Sequence, residues 1–192
     1  TEEAVEMGRE DARKYRAVAA RLNYLAPDRV DIGYSVKEAA RNMARPMQGD
    51  WSKLKRIGRY LVGKPRLVSK FGWQAPVSVV TTYTDSDWAG CTKTGRSTSG
   101  GIVTIGSHVI KTYSKQQRTI ALSSAEAELH ALVAASAETI GIVALLKDMG
   151  CVATGDVYSD SSAALGIAQR QGMGKLRHVR TQALWVQDVR IE

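Results

Sequence analysis

Cysteine is scarce in these 192 residues: Cys91 and Cys151 are the only two, too few for a disulfide framework and without the paired spacing of a zinc site. Both read as free thiols in a reducing compartment. No run of eighteen apolar residues occurs. The longest weakly polar stretch, "ALVAASAETIGIVALL" (131–146), is interrupted by Glu138 and repeats at helical spacing, so no membrane span is expected. The N-terminus, "TEEAVEMGRE", has no charged-then-apolar leader, so secretion is not expected. It also lacks an initiating Met, and the chain reads as a piece of something longer. Histidine is nearly as sparse: His108, His130 and His178 are the full set, and no Cys or Ser constellation forms around them.

What is present is a 44% hydrophobic composition, enough for one good core or for one domain with a smaller appendage. The net charge of +8 is unevenly spread. Residues 1–76 hold 16 Lys and Arg against 9 Asp and Glu, whereas residues 77–192 hold 11 against 10. Within the basic part, "WSKLKRIGRYLVGKPRLVSK" (51–70) has seven basic residues, no acidic ones, and the aromatics Trp51 and Tyr60. Two readings fit it. Lys53, Lys55, Arg56, Arg59 and Lys64 could line a nucleic-acid backbone, where each cation near a phosphate releases counterions; or they form a solvated helix face.

Periodicity divides the chain near residue 74. Before it, "DARKYRAVAARLNYLA" has helical spacing and stops at Pro27; "SVKEAARNMA" follows, with Ser35 and Glu38 placed for a capping box; a third helix runs from about Asp50 to Leu61. Residues 1–74 thus read as a small helical unit. From 75 to 192 the texture changes. "VSVVTTYT" (77–84) is rich in β-branched residues, "GGIVTIGSHVIKTYS" (100–114) reads as two strands turning at Gly106 and Ser107, and a long helix runs from about Ser123 to Met149 with a possible break near Thr139 to Gly141. "DVYS" (156–159) is a fourth strand, Asp160 opens a helix at "SSAALGIAQ", and "RHVRTQALWVQDV" is helix-like. Three antiparallel strands, a helix, and a further strand with its helix make an α/β layer with a mixed sheet.

The acidic residues near the strand ends carry the chemistry. In "YTDSDWAG" (83–90), Asp85 sits where the first strand is expected to end, on the same strand face as Tyr83 and Thr81, and alone it reads as a turn residue. Asp160 alone reads as a helix N-cap. Glu126, three residues after Ser123, fits a capping box, and His130 one helical turn on reads as its surface partner. Glu128 differs. It lies beside the apolar stripe of Ala125, Leu129, Leu132 and Ser136, and a carboxylate there is costly unless something positive meets it. A divalent cation shared with Asp85 and Asp160 would supply that charge, and hard oxygen ligands suit Mg²⁺. Two such ions, about 3.5–4 Å apart, would activate a water and stabilise the leaving oxygen in phosphodiester cleavage.

"YTDSDWAG", "GRSTSGGIV", "SKQQRTIALSSAEAELHAL" and "VYSDSSAAL", in that order, resemble the ribonuclease H domain of copia-type LTR retrotransposon polyproteins. "YRAVAARLNYLA", "DIGYSVKEAARNMARP" and "WSKLKRIGRYLVGK" resemble the end of the reverse transcriptase, the thumb and connection before the nuclease. The resemblance covers almost the whole chain. It implies a ribonuclease H-like five-stranded mixed sheet in which Asp85, Glu128 and Asp160 match three metal-binding catalytic acids, with two Mg²⁺ (or Mn²⁺) as cofactors. The implied substrate is an RNA–DNA hybrid, cut in its RNA strand to leave a 3′-hydroxyl, with the RNA recognised through its 2′-hydroxyls. The remaining polyprotein is an implied partner, and a retroelement particle in the cytoplasm or the nucleus an implied location. Asp85 is expected to bridge both metals; Asp87 is expected to hold the turn or a metal-bound water.

Two departures accompany the resemblance. The family's fifth strand and final helix carry a fourth metal-binding aspartate, and the sequence stops at "VRIE", about where that strand would begin. Activity of this stretch alone is therefore open, and the fourth strand is expected to offer an edge to another protein chain. His178-Val179-Arg180 stands where such elements commonly read His-Ile-Asp. A non-catalytic fragment that binds nucleic acid or protein is the alternative reading. An integrase or transposase, with acids ordered Asp, Asp, Glu, is disfavoured because the order here is Asp85, Glu128, Asp160, at separations of 43 and 32 residues.

Overall fold

The computed structural model describes residues 5–170 and 185–187. It separates into two compact units, residues 1–70 and 71–192. The second begins a few residues before the change of texture at 74. Phe71 stacks edge-on to His108, and the Gln74 side chain bonds the Ile105 carbonyl and the Ser107 amide, so this stretch belongs to the sheet that follows it.

The first unit is helical: α1 (Arg9–Leu25), α2 (Gly33–Ala40) and α3 (Trp51–Gly63), with short 3-10 turns at Val30–Ile32 and Gln48–Asp50. Its core gathers Tyr15, Ala19, Ile32, Val36, Ala39, Leu54 and Ile57. Tyr15 is fully buried, and its hydroxyl donates to the Ala39 carbonyl at 2.8 Å, which satisfies the one polar atom placed there. The capping box expected at Ser35 is absent. α2 already begins at Gly33, and Glu38 pairs instead with Lys37 and Arg41, two charged partners that outcompete one backbone amide.

The second unit carries a four-stranded mixed sheet in the order β3-β2-β1-β4, from β1 (Val79–Asp87), β2 (Thr98–Ile105), β3 (His108–Gln116) and β4 (Thr154–Tyr158). β1 pairs antiparallel with β2, β2 antiparallel with β3, and β1 parallel with β4. A parallel neighbour requires a crossover, and α4 (Ser124–Asp148) lies within it, packed on the sheet, its buried residues including Ala127, Ala131, Leu132, Ala135 and Thr139. α5 (Ser162–Ala168) follows β4 and packs beside α4.

Three expectations change here. α4 is continuous through Thr139–Gly141, because Thr139 is buried and its hydroxyl meets that of Thr82 in β1 at 2.6 Å. β1 runs on to Asp87, which pairs with Thr98, so Asp87 is the last residue of the strand and not beyond it. Asp160 is not an N-cap: Ser161 caps α5, accepting from the Ala164 amide. With 25 residues and an 18-residue stretch of mean hydropathy 1.8, α4 is the one helix among the described residues long and apolar enough to cross a bilayer. A core helix passes the same test, and the buried side of α4 lies on the sheet. The helix-like segment 177–189 lies outside the described residues except for a 3-10 turn at Trp185–Gln187.

Candidate metal centre

Strand alternation sets the two faces of β1. Val80, Thr82 and Thr84 are buried, while Tyr83, Asp85 and Asp87 are exposed. β4 runs parallel to β1 with Tyr158 opposite Tyr83, so the chain leaving β4 delivers Asp160 beside the end of β1. α4 starts at the same end of the sheet and places Glu128 in its second turn. Asp85, Glu128 and Asp160 therefore converge, with one carboxylate oxygen from each lying within 4.8 Å of the other two. Asp85 and Asp160 are exposed and Glu128 is half-buried.

Ser86 organises the interior of the cluster. Its hydroxyl donates to Glu128 Oε1 at 2.7 Å; its amide donates to the same oxygen at 3.2 Å and to Asp85 Oδ1 at 2.8 Å. Glu128 Oε2 is buried and has no hydrogen-bond partner among the described residues. Burial holds the Glu128 carboxyl above its ordinary value; the negative charges of Asp85 and Asp160 push the same way, and the two Ser86 bonds oppose them. A carboxylate with one anchored oxygen and one orphaned oxygen, beside two further acids, is a hard-oxygen donor set with an excess of negative charge. The residues present fit a divalent cation.

Asp87 shares the strand face of Asp85 but is not in the cluster. Its side chain folds over the turn, where a Cβ on Gly90 would collide with the carboxylate. The same turn places Ala89 at φ 53, its amide donating to Ser97 Oγ, and Trp88 Nε1 donates to the Ala121 carbonyl just ahead of α4. Ser123 caps α4 as expected, accepting from the Glu126 amide, whereas the Glu126 carboxylate accepts from the Leu122 amide at 2.8 Å, one residue before the cap. Glu126 is buried, so its 3.7 Å approach to His130 is not a surface pair.

In the helical unit, Leu54 and Ile57 occupy the buried side of α3, and Lys55, Arg56 and Arg59 the exposed side. Lys64, just past the helix, is exposed as well. Lys53 is engaged with Asp50 at 2.9 Å. No salt bridge among the described residues involves Lys55, Arg56, Arg59 or Lys64.

Sequence patterning missed Ser86. The signal was there: as the residue between Asp85 and Asp87 in an alternating strand, it must face the helix that carries Glu128.

No family model matches the chain. Among curated proteins it is similar to the retrovirus-related Pol polyprotein from transposon RE2 of Arabidopsis thaliana, 37% identical over 73% of this chain and 10% of that protein. The corresponding polyprotein from transposon RE1 of the same plant is 36% identical over 80% of this chain and 11% of its own length. That from transposon TNT 1-94 of Nicotiana tabacum is 28% identical over 90% of this chain and 13% of its own. The chain thus spans roughly a tenth of the length of these relatives. It belongs to the retrovirus-related Pol polyproteins of copia-type transposons.

Proposed function

We propose that residues 71–192 form a ribonuclease H-like nuclease module that hydrolyses the RNA strand of RNA–DNA hybrids during reverse transcription of its element, and that residues 1–70 are the end of the preceding reverse transcriptase. One observation carries the reading: Asp85 on β1, Glu128 on α4 and Asp160 just after β4 bring one carboxylate oxygen each within 4.8 Å of one another, and Glu128 Oε2 is buried without a hydrogen-bond partner among the described residues. A four-stranded mixed sheet with one parallel strand is compatible with the fold, and the Pol relatives give the context.

Asp85, Glu128 and Asp160 would hold Mg²⁺, with Mn²⁺ as substitute. When bound, such ions lower the pKa of a water and neutralise charge on the leaving oxygen. The rest is the work of the chain. Ser86 anchors one Glu128 oxygen and so holds the carboxylate beside Asp85 and Asp160. Asp85 and Asp160, being exposed, leave the front of the cluster open to a nucleic-acid backbone. On α3, Lys55, Arg56 and Arg59 offer cations for a phosphate backbone without preference for sequence.

Labelled RNA–DNA hybrid incubated with the chain and Mg²⁺ is expected to yield RNA fragments ending in 3′-hydroxyls, and Asp85→Asn to reduce the rate to background. Glu128→Gln and Asp160→Asn are expected to do the same. Cleavage that survives Asp85→Asn, or no cleavage at high protein concentration, would overturn the reading in favour of a non-catalytic module.

A further inference from the structure

We infer that Ser86 is the positioning residue of the metal centre: its hydroxyl anchors Glu128 Oε1 and so fixes the rotation of the carboxylate that would share a cation with Asp85 and Asp160. This rests on the metal reading above and adds a residue that the acid pattern does not contain. The Ser86 amide is divided between Asp85 Oδ1 at 2.8 Å and Glu128 Oε1 at 3.2 Å, so it cannot fix Glu128 by itself. The hydroxyl at 2.7 Å is the shorter contact. Remove it, and the carboxylate of a half-buried glutamate keeps one long, shared bond and can rotate, exchanging its two oxygens. A free rotor beside two like charges must be re-ordered each time a cation enters, and that ordering cost is subtracted from affinity.

Groups that orient a metal ligand without touching the metal typically change affinity 10–100-fold when removed. Ser86→Ala is therefore expected to weaken Mn²⁺ binding by about 10–100-fold, measured by isothermal titration on the metal-free chain. Ser86→Thr, which keeps the hydroxyl on a strand-favouring backbone, is expected to restore it. Ser86→Ala gives up a hydrogen bond to a half-buried carboxylate and is expected to unfold at a somewhat lower temperature without metal, and Ser86→Thr to unfold with the unsubstituted chain; binding measured well below all three transitions separates positioning from folding. In hybrid cleavage, Ser86→Ala should be defective at limiting Mn²⁺ and recover at saturating Mn²⁺.

Two results overturn the assignment and can be told apart. If the unsubstituted chain binds no Mn²⁺, the metal centre fails and this role fails with it. If the unsubstituted chain binds and Ser86→Ala binds equally well, or if Ser86→Thr fails to rescue while unfolding at the same temperature, only the role of Ser86 falls.

Discussion

Glu128 is the residue on which the site turns, because it is the only one of the three acids removed from water. Its carboxyl is held above the ordinary carboxylate value in the folded chain, first by burial and then by Asp85 and Asp160. A group that binds its proton more tightly when folded favours folding at low pH. That contribution is full below the unfolded value and is lost as pH rises through the folded one. Metal-free protein should therefore gain from Glu128→Gln at pH 7 and gain nothing at pH 4, as read from urea unfolding at the two values; equal effects would mean the carboxylate is not strained. The two aspartates of β1 are also distinguished at this scale. Asp85 is in the cluster and Asp87 lies over Gly90. Asp85→Asn should abolish hybrid cleavage and Asp87→Asn should only weaken it, and the reverse ranking in a single-turnover assay would mean that the wrong carboxylate was assigned.

Between elements, the contact that seats α4 on the sheet is a polar one. Thr139 Oγ1 donates to the Ala135 carbonyl at 2.8 Å, which leaves the Thr82 hydroxyl as donor in the 2.6 Å contact with Thr139, both side chains being fully buried. Thr139→Val would strand the Thr82 hydroxyl, at a cost of about 1–3 kcal/mol. Replacing both residues by Val removes donor and acceptor together and should cost less than Thr139→Val alone, a non-additivity that a double-mutant cycle in urea detects. This pair also explains why α4 could not be read whole from its sequence. Thr139, Ile140 and Gly141 are weak helix formers, and local preference suggests a break. What keeps the helix intact is a partner 57 positions earlier. Elsewhere the sequence was informative for physical reasons. β-branched runs marked the strands, and Glu128 stood out because a charge beside an apolar stripe needs an explanation. Ser86 was obscured because a hydroxyl among acids looks like ordinary turn chemistry, and only the strand's alternation turns it inward. Asp160 reads as a cap in the sequence because the true cap, Ser161, is the next residue.

At the scale of the whole chain, charge is segregated. The excess of basic residues lies in the first 76, and the acids of the candidate centre lie in the other unit. Hybrid affinity should therefore be salt-dependent through the helical unit. Changing Lys55, Arg56 and Arg59 to Gln should flatten the slope of log K against log salt by about 0.9 for each side chain that touches a duplex phosphate. The rate of cleavage at saturating hybrid should change little. Fluorescence anisotropy at several salt concentrations, beside single-turnover cleavage, measures both, and an unchanged slope would leave these three cations as a solvated face.

The parallel pairing of β1 with β4 has a consequence in time. Val79 meets Thr154, 75 positions later, whereas the β2–β3 hairpin closes across Gly106 and Ser107. Local hairpins close early, and a strand that must return across so long a loop joins late. Asp85 and Glu128 precede Asp160 in the chain, and the third acid arrives only when β4 docks. A cation that needs all three ligands can be held only at the end of folding, so the proposed nuclease activity would be acquired as the final act of assembly.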